Sequence, residues 1–149
     1  MAGYSTKSLA GKLSLKDGQR VWWRNMPQDV RATIEADGLA LKVLKTPAAP
    51  LDAAHVFVKS RADLEMAVAS ARGALAPDGF IWVSWPKKSS GVATDVTENT
   101  VREIALPTGL VDVKVCAVDE VWSGLKLMIR RELRDTPAKP SLKSNTRRR

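Results

Sequence analysis

Phe80-Ile81-Trp82-Val83-Ser84-Trp85 decides the fold. Five of these six residues are large and apolar, and they do not alternate with polar ones. A strand facing water on one side would alternate. An unbroken run fits a strand covered on both faces, as in a parallel sheet with helices on each side. Upstream, Pro77-Asp78-Gly79 reads as a turn. Before it lies the clearest helix in the chain. Ser60 offers an N-cap with Asp63 three residues on, and Leu64, Ala67, Val68, Ala71 and Leu75 form one apolar stripe. His55 to Lys59 reads as the strand feeding that helix.

Further toward the start, Leu9, Leu13 and Leu15 form a short amphipathic lead-in, ended by an Asp17-Gly18 turn. Arg20 to Asn25, with Val21, Trp22 and Trp23, reads as the first strand. Pro27 fits the first position of a helix running through Val30 and Ile34 to Gly38. Leu39, Leu41, Val43 and Leu44 give a second strand, closed by a loop containing Pro47 and Pro50. Downstream, the polar loop Pro86 to Thr94 precedes a helix capped by Asp95 or Thr97. It carries Val101, Ile104 and Ala105, and halts near Pro107 and Gly109. Val111, Val113 and Val115 then alternate with polar residues, as do Leu125, Leu127 and Ile129. Ser123-Gly124 reads as the two-residue turn between them, with Gly supplying a positive φ. The expectation is a three-layer α/β sandwich, a mainly parallel sheet ending in an antiparallel edge hairpin.

Length and charge bound the rest. A chain of 149 residues suits one domain with a sizeable core. One Cys allows no internal disulfide, and one His with one Cys makes no zinc site. No apolar run is long enough to span a bilayer, and no secretory leader is read in Met1 to Lys16. The expected location is cytoplasmic. Lys and Arg exceed Asp and Glu by 24 to 16, a net +8. Asp135 to Arg149 holds five of the cations, including Arg147, Arg148 and Arg149, against Asp135. It has one large apolar residue, Leu142, and reads as a disordered basic tail after a domain spanning 1–134. Such a tail can touch phosphates non-specifically.

Two stretches resemble class I S-adenosylmethionine-dependent methyltransferases. Leu15-Lys16-Asp17-Gly18-Gln19-Arg20-Val21 is similar to the lead into their first strand. Ala74-Leu75-Ala76-Pro77-Asp78-Gly79-Phe80 is similar to a helix-to-strand corner. With one βα unit missing, the resemblance implies strand order 2-1-3-4-6-5. The cofactor motif does not carry over. Arg24-Asn25-Met26-Pro27-Gln28-Asp29 contains no Gly to let backbone approach a ligand. Lys45-Thr46-Pro47, after the second strand, offers no acid for a ribose. That argues against methyl transfer, and no cofactor is assigned. A closer resemblance is to a bacterial family of small Rossmann-like domains of unknown function. It is carried by Ile81 to Glu98, Leu106 to Asp112 and Val118 to Lys126. It implies the same fold and no activity.

The candidate site is the loop after the central strand, on the side where α/β sheets bind ligands. Trp85, Lys87, Lys88, Ser89 and Ser90, with Gly91, offer an aromatic face, two cations and two hydroxyls, a set suited to a phosphate or carboxylate. Lys59 should point to the same rim and join Lys87. Asn25 sits at the first strand-to-helix turn, where backbone N–H groups attract anions. Asp95 would add a carboxylate above the lysine loop, although capping is its simpler role. Trp85 and Trp122 are possible stacking faces, with core packing favoured for both. Cys116 reads as a buried inert thiol, and His55, the lone His, belongs to no hydrolytic triad.

Three functions compete. The first is a non-catalytic Rossmann-like binding domain for a small anionic ligand or a protein partner. The second is a nucleic-acid-associated protein using the basic tail. The third is an enzyme with an unrecognised site built on Lys87 and Asp95. The hairpin edge also leaves homodimerisation open.

Overall fold

The computed structural model describes residues 7–134. The expected tail, Asp135 to Arg149, lies outside the described residues. The chain runs α1 (Leu9–Lys12), β1 (Arg20–Arg24), α2 (Gln28–Glu35), β2 (Lys42–Leu44), β3 (Leu51–Phe57), α3 (Arg61–Ala74) and β4 (Leu75–Pro86). It continues through α4 (Glu98–Ala105), β5 (Leu110–Ala117), β6 (Trp122–Ile129) and α5 (Arg131–Arg134). Six strands form one sheet in the order β2-β1-β3-β4-β6-β5. The first four are parallel, and β6 runs antiparallel to both β4 and β5.

The unbroken apolar run does what its composition requires. Ile81, Trp82, Val83 and Ser84 are all but fully buried. Ile81 and Val83 join one core with Leu64, Ala67, Val68 and Ala71 of α3 and Val101 and Ala105 of α4. Trp82 joins the other, with Ala10 of α1 and Val30 and Ile34 of α2. Trp85 packs with the first core, so the two tryptophans of β4 face opposite ways, as their odd spacing demands. Trp82 Nε1 also donates to the Leu13 carbonyl at 3.0 Å, fastening the lead-in to the sheet. Ser60 caps α3 by accepting from the Asp63 N–H at 3.1 Å, and Thr97 with Thr100 forms a capping box on α4.

Several boundaries differ from the sequence reading. The third strand starts at Leu51, not His55, and His55 lies in its middle. Pro27 is the N-cap of α2 and not its first helical residue. The second strand is only Lys42–Leu44. Pro77-Asp78-Gly79 is no free turn but an irregular stretch of β4. Leu75 pairs with Leu51 while Phe80 pairs with Ala53, so the residues between bow out of register. Gly79 is needed there because a Cβ would meet the Leu51 carbonyl oxygen at 2.8 Å.

The hairpin turn also moves. Ser123 and Gly124 lie inside β6, and Trp122 begins that strand. The chain reverses over 118–121, where Val118 N–H donates to the Trp122 carbonyl. Asp119 Oδ1 accepts from both Val121 N–H and Trp122 N–H at 2.8 Å, a local side-chain bridge of the kind Asp favours in turns. Gly124 serves space and not a positive φ. A Cβ there would lie 3.2 Å from Ser84 Oγ and from the Trp82 ring. Cys116 is half-buried on the edge strand β5, because the second core covers that strand incompletely.

Candidate functional site

The strand order reverses between β1 and β3. From β1 the chain crosses through α2 to β2 on one side, and from β3 through α3 to β4 on the other. The carboxyl ends of two such strands splay apart and leave a crevice. Here the crevice is a cavity of about 560 Å³, lined by Asn25, Pro27, Phe57, Lys59, Ser60, Asp63 and Trp122. Trp122 reaches it because β6 runs antiparallel to β4, bringing its first residue to the same rim.

Asn25 adopts φ 56°, the left-handed region that Asn tolerates better than most residues. This single residue turns the chain from β1 into α2 without a glycine. Pro27 then caps α2 with no side-chain hydrogen bond. Phe57 and Trp122 meet edge to face, 5.0 Å between ring centres at 84°, a favoured aromatic arrangement. His55 stacks on Phe57, 4.3 Å between ring centres.

The charges are unequal. Asp63, the carboxylate in the lining, is held by Arg24 at 2.8 Å. Arg24 Nη1 is buried and has no hydrogen-bond partner. Lys59 is exposed and forms no ion pair among the described residues. Its backbone carbonyl accepts from Asp95 N–H and Thr94 Oγ1, which fixes the strand end. The cavity thus offers one unneutralised cation, one amide and an aromatic wall.

The loop after β4 borders a second cavity, also about 560 Å³. Its lining includes Trp85, Lys88, Gly91, Val92, Thr94 and Thr97. Lys88–Ser90 forms one tight turn, with Ser90 Oγ donating to the Lys87 carbonyl at 2.6 Å. Lys87 N–H donates to the Val121 carbonyl at 2.7 Å, pinning the loop to the hairpin. The residues read from sequence as one rim are therefore distributed. Asn25 and Lys59 line the first cavity, and Trp85 and Lys88 the second. Lys87, Ser89, Ser90 and Asp95 line neither. Asp95 Oδ1 accepts from the Arg61 N–H at 2.8 Å, so it secures the start of α3 and not α4. Glu98 binds Arg102, and Glu103 binds Arg61 at 2.9 Å. The sequence reading did not name Phe57; its place as the last residue of an apolar strand was the available signal.

His55 and Ser84 pair inside the sheet, Nε2 to Oγ 2.7 Å, at 3% and 0% exposure. Burial pushes the imidazole down to about 3, so it is neutral at physiological pH. Among the described residues no carboxylate pairs with the ring. Among the described residues no three metal-ligating side chains cluster, and no helix is long and apolar enough to cross a membrane.

A family model described as Protein of unknown function (DUF3052) matches residues 26–131, which contain all three stretches that carried the closer resemblance. No curated protein matches the chain by sequence. Among solved structures, a putative methyltransferase from Thermoplasma acidophilum is similar with TM-score 0.53 and 8% identity, over 77% of this chain and 70% of that one. The precorrin-6y C5,15-methyltransferase from Geobacter metallireducens gives 0.52 and 10%, over 81% and 84%. Aeropyrum pernix fibrillarin, solved with natively bound S-adenosyl-L-methionine, gives 0.50 and 12%, over 80% and 73%. The chain has the Rossmann-like fold of methyltransferases, and at these identities the likeness extends to fold alone.

Proposed function

The chain belongs to the family of proteins of unknown function DUF3052, and from that premise we propose that it is a non-catalytic Rossmann-like binding domain. Its ligand is a small anion bearing a planar ring, held in the cavity between the ends of β1 and β3. The observation that carries this reading is the lining itself: Lys59 unpaired, Asp63 neutralised by Arg24, and the Phe57–Trp122 edge-to-face pair beside them. A cation in a concave site favours an anionic group, and an aromatic wall favours a flat one. Asn25 adds a side-chain amide at the same rim. The cytoplasm is the compartment this reading takes.

S-adenosylmethionine, which Aeropyrum fibrillarin binds, does not fit these residues. The turn from Asn25 to Pro27 has no glycine, and β2 runs into Lys45-Thr46-Pro47 with no carboxylate. A sulfonium carries positive charge, and the cavity's net charge is positive once Asp63 is paired. No step through that cofactor follows.

Thermal shift against nucleotides, coenzyme A, sugar phosphates and S-adenosylmethionine tests the reading. A ligand at about a hundred times its Kd stabilises by about 2.7 kcal/mol, a Tm rise of about 5–10 °C for a chain this size. The expected rise disappears in Lys59→Gln and survives in Lys88→Gln. Loss in Lys88→Gln alone would move the site to the 85–91 loop. Binding that needs Asp135 to Arg149 and falls steeply with salt would favour the nucleic-acid reading. No rise with any compound would sink the small-ligand reading.

A further inference from the structure

At the hairpin edge of the sheet, β5 and β6 place Lys114 and Lys126 directly across from each other. Like charges at facing positions of paired strands repel. Lys126 is half-buried. Its ammonium sits 4.6 Å above the Phe80 ring and donates to Ser14 Oγ at 3.0 Å. Ser14 holds φ 64°, an uncommon backbone for a residue with a side chain, at the point where its hydroxyl meets this lysine. No carboxylate lies within ion-pair distance of Lys12, Lys16, Lys114 or Lys126 among the described residues. Desolvation, then Lys114 and Lys16, push the Lys126 ammonium below its ordinary range. Next to this pair lies a cavity of about 370 Å³ lined by Lys7, Lys12, Lys114, Val115, Cys116 and Ala117, with no acid among the described residues of its wall. Lys114 belongs to both the facing pair and the cavity.

A half-buried ammonium flanked by like charges and lacking a counter-ion is costly in the free protein. A methionine would lie on Phe80 without that cost. The arrangement becomes favourable when a compact anion enters. All the cations here are lysines, compact point charges with three donors each. They surround a tetrahedral group better than they match a planar carboxylate, which arginine grips through two parallel bonds. Lys126 is half-buried and lies across the strand pair from Lys114 in the cavity wall, and a terminal group carrying two charges offsets its repulsion more than a bridging diester carrying one.

We propose that a terminal phosphate group binds in the lysine cleft between α1 and the β5–β6 hairpin, against Lys12 and Lys114, and offsets the repulsion that Lys114 exerts on Lys126 across the strand pair. The site is separate from the cavity at Lys59, and its ligand is a phosphate monoester or a free polyphosphate.

The test uses the full chain carrying Lys59→Gln, so that the first cavity cannot contribute. Pyrophosphate is titrated in low-salt buffer, with sodium chloride at equal ionic strength as the reference. A Tm rise of about 5–10 °C is expected when pyrophosphate reaches about a hundred times its Kd. It should vanish in Lys126→Met and shrink in Lys114→Gln, which guards against misfolding of the first variant. Lys126→Met should also raise the Tm of the ligand-free protein. The carbon resonance next to the Lys126 nitrogen should titrate at higher pH with pyrophosphate than without. No rise above the chloride reference would overturn the proposal. So would a rise that persists in both lysine variants, or binding of a single-stranded oligonucleotide without binding of pyrophosphate.

Discussion

Acidification from pH 7 to 5 should destabilise this protein through one residue. His55 is the only His in the chain, so the imidazole contribution to that window is its alone. Burial holds it down to about 3, whereas in the unfolded chain it titrates near 6.5. The unfolded state therefore binds a proton that the folded state refuses. Stability is complete above about 6.5 and is lost as pH falls from there toward 3. Linkage between those two values gives a loss of about 2 kcal/mol by pH 5 and about 5 kcal/mol in the limit below 3. Carboxylates begin to titrate below 5, so the interval from 7 to 5 isolates the histidine. Urea melts followed by tryptophan fluorescence at several pH values read the slope directly. His55→Gln keeps a hydrogen-bonding group for Ser84 and cannot titrate. Its stability should be lower throughout, through loss of the Phe57 stack, but about 2 kcal/mol flatter between pH 7 and 5. Parallel profiles for the two proteins would refute the reasoning, as would an imidazole NMR titration centred near 6.5.

Two other perturbations follow from the backbone. Gly79→Ala should cost more than Gly124→Ala. The first Cβ meets carbonyl oxygens of Leu51 and Asp52 at 2.8 and 3.0 Å, while the second meets side-chain atoms at 3.2–3.3 Å that can give way. The expected losses are about 3 and about 1 kcal/mol in urea unfolding, and the reverse order would contradict the packing argument. Asp119→Ala removes the acceptor of two turn N–H groups and should cost about 1 kcal/mol; an unchanged urea midpoint would show that the turn holds without it.

The sheet was legible where burial leaves a signature in composition. Phe80 to Trp85 reads as a doubly covered strand because both of its faces pack. The stripe from Leu64 to Ala71 reads as a helix because only one of its faces does, whereas Leu75, read as its last member, is extended and begins β4 against Leu51. Leu51 to Ala54 was not legible. Asp52 and two alanines look like loop next to Pro50, yet Asp52 accepts from the Arg20 N–H at 2.8 Å, and both alanines are buried in the sheet. Small residues suffice where helices crowd a strand, and local sequence carries no record of that crowding.

The candidate sites were legible in kind and not in grouping. A basic rim with an aromatic was visible. Its division between two cavities depends on how 86–97 is tied down, by Lys87 to Val121 and by Asp95 to Arg61 and Lys59, contacts far apart in the chain. The lysine cleft was hidden for a sharper reason. A two-residue turn at Ser123-Gly124 would pair Trp122 with Leu125 and set Lys126 opposite Val121. The true reversal at 118–121 sets Lys126 opposite Lys114. Because side chains alternate across a strand, register alone decides which charges meet. From sequence alone Gly124 reads as a turn residue, because glycine has two uses, a positive φ and the absence of a Cβ. Only the approach of Ser84 and Trp82 tells them apart here. One glycine assigned the wrong use thus concealed two lysines facing each other without a counter-ion.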